Sequence, residues 1–345
     1  MPTTYAIPNG RTVMDATTYT GTGSSLAVTN TTGFQPDFVW VKSRSNAQDH
    51  IVVNSVVGAN KNLYSNRTTA EVTNNSGGYV STLNSNGFTV VPGATNADDT
   101  VRSGWTYVGW QWQAGQGSTS SNTSGSITST VSANTTAGFS IVTFTAQSSG
   151  SGTVGHGLSA APQFIITKSR TQTYSWATYH VSLGNTKYLT LNTTNATTTN
   201  AIWNNTSPTS TVFSLGSDFA GNDSCVAYCW TPIAGFSQFG SYTGNNSTDG
   251  PFIYTGFRPK WVMVKNSDTA ATSWVVLDSS RNTYNVANSI LLPNDQGAED
   301  SSSNRMDFLS NGFKLRLAGN WGNNSGSTYI YAAFAENPFK YANAR

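Results

Sequence analysis

Apolar and polar positions along this chain fall into short runs, alternating or wholly apolar, broken at close intervals by Gly, Asn, Ser and Pro. That spacing predicts antiparallel strands in a sandwich or barrel rather than strand–helix units. Three runs share one design, a turn followed by an apolar strand ending in lysine: Gly33–Lys42, Leu158–Lys168 and Gly256–Lys265. Each continues into a short polar turn and then a second block, beginning at His50, Trp176 and Trp274. Each copy closes on an aromatic strand, Thr106–Trp112, Ser224–Trp230 and Thr328–Phe334. From the turn proline to the last aromatic the separations are 76 residues (Pro36 to Trp112), 68 (Pro162 to Trp230) and 75 (Pro259 to Phe334). Independent loops would not hold such a register, so the chain is a triplication.

The predicted fold class is therefore all-β, with three tandem antiparallel β-sandwich-like repeats. The expected division is an N-terminal attachment segment, residues 1–16, then repeat 1 over 17–114. A Ser/Thr/Asn/Gly-rich linker covers 115–137, in which Ser126–Val131 alternates well enough to pair as a strand. Repeat 2 spans 138–231, and repeat 3 spans 232–345 with an extended C-terminal tail. The middle strands fall at Asn60–Tyr64, Leu189–Asn192 and Ile290–Pro293.

Composition supports this class. The 345 residues are 37% hydrophobic and 12% aromatic, enough to fill cores, but only 10% charged, against roughly 25% in ordinary soluble proteins. Ser, Thr, Asn and Gly make up the difference, a neutral polar surface over cores suited to strands. The formal charge of +2, with no basic cluster interleaved with aromatics, argues against a nucleic-acid partner. No apolar run reaches the roughly 18 residues of a membrane helix, so membrane insertion is not expected. The N-terminus lacks the basic start and apolar stretch of a signal peptide, which predicts folding in the cytoplasm. Cys225 and Cys229 lie four apart on one strand face, about 13 Å from each other. This is too far for a disulfide, and they read as two small buried side chains.

The chain offers little catalytic chemistry. His50, His156 and His180 fall in different copies or strands, with no Gly-x-Ser-x-Gly elbow beside them. The acidic pairs Asp98-Asp99 and Glu299-Asp300 lie in turn-rich segments, where aspartate caps backbone N–H groups. The oxygen-rich run Asn294–Asp300 lacks the ordered spacing of a calcium loop. Neither a catalytic residue, a metal site nor a cofactor is assigned, and the protein is read as non-enzymatic. Only the tryptophans suggest a ligand. Trp40, Trp110, Trp112, Trp230, Trp261 and Trp274 belong to repeat strands and are expected in cores. Trp105, Trp203 and Trp321 lie in turns beside Asn, Gly and Ser, where an exposed ring could stack on a sugar. Trp203 and Trp321 are the glycan-stacking candidates.

The proline turn, the lysine-ended strand, the stretch Trp176–Leu189 and the stretch Phe334–Tyr341 together resemble a repeat domain of structural proteins in tailed bacteriophages. The resemblance covers about residues 17–345 and is strongest in the second and third copies. It implies a virion component, made in the host bacterial cytoplasm, with other virion proteins as partners, and it supplies no catalytic residues. The expected role is a tail fibre or surface appendage that could adhere to a host surface glycan. The alternatives are a capsid decoration or neck protein, a free carbohydrate-binding module, and a capsule depolymerase. A homo-oligomer, with a trimer favoured, is also expected, because a closed ring would hide sheet edges.

Overall fold

A computed structural model describes residues 4–148, 150–219 and 221–338. Among these residues the structure is strands and turns, with no α-helix and only single 3-10 turns at Gly10–Thr12, Ala201–Trp203 and Ser217–Phe219. Every ladder between strands is antiparallel. The all-β class follows as expected from β-branched and aromatic runs cut by turn residues.

Each copy repeats one main sheet. An outer strand (Met14–Thr20, Phe139–Thr145, Ser237–Thr243) pairs with the closing strand (Thr106–Trp112, Ser224–Trp230, Thr328–Pro338). The closing strand pairs on its other side with the lysine strand (Phe38–Ser43, Phe164–Ser169, Phe257–Asn266), and that with a fourth strand (Ile51–Asn54, Ala177–His180, Val275–Asp278). The register is the same in all three. Phe38 faces Trp112, Phe164 faces Trp230 and Trp261 faces Phe334, while Lys42, Lys168 and Lys265 face Val108, Val226 and Ile330. The triplication read from the sequence is thus a triplication of hydrogen-bond ladders.

A smaller sheet lies over each main sheet. In the first copy it has three strands (Leu26–Thr29, Gly87–Val91, Tyr79–Asn84), as it has in the third (Phe252–Tyr254, Gly312–Leu315, Met306–Leu309). In the second it has two, Gly152–Gly155 and Val212–Leu215. The second copy is also the one with the short separation of 68 residues, so its deficit of about one strand's length matches the missing strand.

The lysine strands are buried on both faces, and in the first two copies the two faces serve different cores, which in the third copy merge into one. Val39 and Val41 pack with Phe88 and Val90 of the first copy's own small sheet, and Ile165 packs with Phe213 and Leu215 in the second copy. The alternate residues, Phe38, Trp40, Phe164, Ile166, Trp261 and Met263, enter one central cluster shared by all three copies. At its middle the last aromatics of the closing strands meet. Ring centroids are 6.2 Å apart for Trp112–Trp230, 6.3 Å for Trp230–Phe334 and 5.4 Å for Trp112–Phe334. Three equivalent residues in mutual contact place an approximate threefold axis inside one chain. The face of each main sheet that carries these residues is buried against the other two copies.

Two expected boundaries change. Residues 115–137 are not a flexible linker: Ser120–Asn122 and Ser129–Asn134 extend the second copy's main sheet beside its outer strand. Low charge and small polar side chains resemble a linker, but they also suit a two-faced edge ladder. Of the expected N-terminal attachment segment, residues 1–3 lie outside the described residues, and residues 4–16 are not set apart from the repeats. Ile7, Val13 and Met14 belong to the central cluster, Met14 begins the first outer strand, and Arg11 pairs with Glu336. A Cβ on Gly10 would collide with the Ala335 carbonyl oxygen, so the N-terminal turn rests directly on the third closing strand. Of the expected middle strands, Gly58–Tyr64 and Lys187–Thr190 form, whereas Ile290 and Leu291 make only isolated bridges. The expected tail falls partly outside the described residues. Its first part, through Pro338, continues the closing strand.

Candidate functional site

The seams between copies carry the most specific polar chemistry, and they repeat cyclically. The last residue of each fourth strand reaches the next copy's closing strand. Asn54 donates through Nδ2 to Tyr228 Oη at 3.0 Å, His180 Nε2 lies 3.0 Å from the Tyr331 carbonyl, and Asp278 accepts from Trp110 Nε1 at 2.9 Å. The residue two after each buried lysine holds the preceding copy. The Arg44, Arg170 and Ser267 carbonyls accept from the backbone N–H of Glu299, Glu71 and Thr197 at 2.8, 2.8 and 2.9 Å. Bidentate Arg44–Glu299 and Arg170–Glu71 pairs reinforce two of these seams. Likewise Trp176 Nε1 donates to the Tyr64 carbonyl, and Trp274 Nε1 to that of Thr190. His50 occupies the equivalent position in the first copy, beside the backbone of Leu292 and Asp295. Sequence inspection missed the set Asn54, His180 and Asp278. Its signal was a polar residue four positions after each of His50, Trp176 and Trp274.

Burial sets the ionisation of these groups. Burial lowers His180 to about 4, with the Tyr331 carbonyl offsetting only part of it. Burial also lowers His50 and His156. Lys42, Lys168 and Lys265 are each fully buried, and desolvation pushes each down to about 8. Each Nζ donates to the carbonyl of the next residue, at 2.7, 2.6 and 2.7 Å. For Asp278, burial would raise the carboxyl, but Arg281 and the Trp110 N–H hold it below the usual range. These are groups fixed in place by the packing around them, and the three histidines sit apart, each engaged in its own hydrogen bond.

This chain belongs to the DUF7483 family. The family, described as a domain of unknown function, is matched over residues 10–338. The match runs from the N-terminal turn into the third closing strand, so the DUF7483 unit is the whole ring and not one of its copies. No curated protein and no solved structure matches the chain.

Of the two tryptophans expected to stack on a sugar, Trp203 presents no free face and Trp321 presents part of one to a small hollow. Trp203 is 2% exposed. It sits in the second copy's core with ring centroids 5.8 Å from Tyr179 and 6.3 Å from Phe219. Trp321 is half-buried against the central cluster, with the Arg305 guanidinium 5.7 Å from its ring centroid. Trp105 is similarly covered by Arg102 at 4.9 Å. A turn in the sequence is exposed only if it does not fold back on its own sandwich, and these do. Cys225 and Cys229 are buried and free, as expected. The six tryptophans assigned to strands are all in cores, none more than 3% exposed.

What differs most between copies is the mouth of each sandwich, where the fourth strand meets the next segment. In the third copy Thr272, Val275, Ile290 and Leu292 line a hollow of about 220 Å³ against Trp321. In the second copy the equivalent positions hold Tyr174, Ala177, Tyr188 and Thr190, and the hollow opens to about 370 Å³. In the first copy the position of Tyr188 is taken by Asn62, which is fully buried.

Proposed function

We propose that this protein is a non-enzymatic structural component of a tailed-bacteriophage virion, in a tail fibre or related surface appendage. The observation that carries the reading is the closed ring of three sandwiches about Trp112, Trp230 and Phe334. It is a rigid unit that buries its own equivalent sheet faces and leaves its turns outward, as a building block in an assembly requires. The likeness of Trp176–Leu189 and of Phe334–Tyr341 to phage structural proteins supplies the class. The histidines support a structural role, since each is desolvated and held neutral within the packing rather than poised in a shared cleft.

The test is localisation. Antibodies raised against the purified chain should decorate tail appendages of intact phage in negative-stain electron microscopy. Decoration confined to the head or neck would favour the capsid-decoration reading. Absence of the chain from purified virions, by mass spectrometry, would reject the virion assignment.

A further inference from the structure

The open mouth of the second copy departs from the repeat's pattern toward binding chemistry. The geometry points to a saccharide-binding pocket there, selective for neutral or amino sugars over acidic ones. The inference extends the adhesion part of the proposed function and rests on that reading for its biological setting, but not for its chemistry.

Three observations converge. First, the hollow is large enough: its volume of about 370 Å³ lies within the range of small-molecule sites, about 300–1,000 Å³. Second, apolar wall positions of the third copy, Val275, Ile290 and Leu292, are replaced by Ala177, Tyr188 and Thr190, making the wall shallower and polar. Third, polar groups at the site are unengaged. Asp223 is 6% exposed and lines the pocket, yet among the described residues no donor reaches its carboxylate. Its oxygens are not sealed within the protein and open onto the hollow, where a ligand hydroxyl can donate to them. The amides of Asn195 and Asn200, both exposed, are likewise free of side-chain partners among the described residues.

The chemistry these groups offer suits a sugar. Tyr174, 51% exposed on the rim, presents an aromatic face to the C–H side of a pyranose ring. Asp223 accepts from ring hydroxyls, and the amides of Asn195 and Asn200 both donate and accept. Asp218 also lines the pocket, so two carboxylates repel an anionic ligand. The Lys168 ammonium, held by the Ser169 and Gln172 carbonyls, couples to Asp223 and offsets part of that repulsion, but it is fully buried and does not line the pocket.

Saturation-transfer NMR on the full chain tests this, with galactose, N-acetylglucosamine, glucosamine and glucuronic acid as probes. Transfer is expected for at least one neutral or amino sugar, with glucuronic acid about tenfold weaker. Tyr174→Ala should reduce affinity about tenfold, and Asp223→Asn should both weaken binding and narrow the gap to glucuronic acid. Should Asp223→Asn fail to fold, Asn200→Ala, at an exposed position, takes its place. No transfer from the wild type for any neutral or amino sugar overturns the pocket, as does binding unchanged in the variants or glucuronic acid binding equally well. The two readings fail separately. Sugar binding without virion label keeps the pocket and rejects the appendage, while label without binding does the reverse.

Discussion

Replacing Trp112 by alanine tests whether three sandwiches behave as one folded body. Trp112 is 2% exposed and touches Trp230 of the second copy and Trp261 and Phe334 of the third. Its indole N–H has no partner among the described residues, so truncation removes packing alone, with no hydrogen bond to complicate the sum. Loss of a buried tryptophan with incomplete collapse of its cavity costs about 3–5 kcal/mol. At roughly 2 °C per kcal/mol for a chain of this size, the melting temperature should fall by roughly 6–10 °C. Because the cavity opens on the shared axis, the whole chain should respond. Differential scanning calorimetry should give one transition, its calorimetric and van't Hoff enthalpies agreeing before and after the substitution. Should the variant instead show an early transition of about one third of the enthalpy, with the remainder melting at the wild-type temperature, the copies are independent domains and the ring carries no cooperativity. A shift below about 1 °C would show that Trp112 is not a core residue.

Four further outcomes follow from the same geometry. Trp203→Ala should lower stability by about 3–5 kcal/mol, visible in urea denaturation, whereas Trp321→Ala, only half-buried, should cost less. Asp278→Ala leaves buried Arg281 with Glu299 as its remaining carboxylate and strips the Trp110 N–H of its acceptor, a loss of about 3 kcal/mol measurable by the same titration. Acid should weaken the fold before ordinary carboxylates protonate. His180 stays neutral down to about 4 when folded but takes a proton near 6.5 when unfolded. Its contribution, about 3 kcal/mol, is therefore full above pH 6.5 and lost as pH falls toward 4, and His180→Gln should flatten that slope in urea midpoints. The buried lysines act alike at higher pH: folded near 8 and unfolded near 10.4, they make stability rise with pH from 8 toward 10, and a falling midpoint there would contradict their burial.

The sequence by itself determined the strands, their class and their repetition. Proline turns, unbroken apolar runs and the lysine that ends them are local signals, and the ladders place Lys42, Lys168 and Lys265 in one register because equal spacing along the chain becomes equal position in equal sheets. It also determined which tryptophans fill cores, since Trp40, Trp110 and Trp261 stand inside those runs. Only the tertiary structure decided what the second face of each lysine strand meets. Phe38, Phe164 and Trp261 look alike in any sandwich, and nothing local says that they converge on a shared axis rather than on solvent or another molecule. The same limit misplaced Trp203 and Trp321: polar neighbours in a turn report that the backbone is wet, not where a large ring points, and an apolar ring turns inward whenever a void is within reach. The second copy's two-stranded small sheet was legible as a shortfall in the spacing of Pro162 and Trp230. The hollow beside Tyr174 and Asp223 depended on which side chains three-dimensional packing failed to cover.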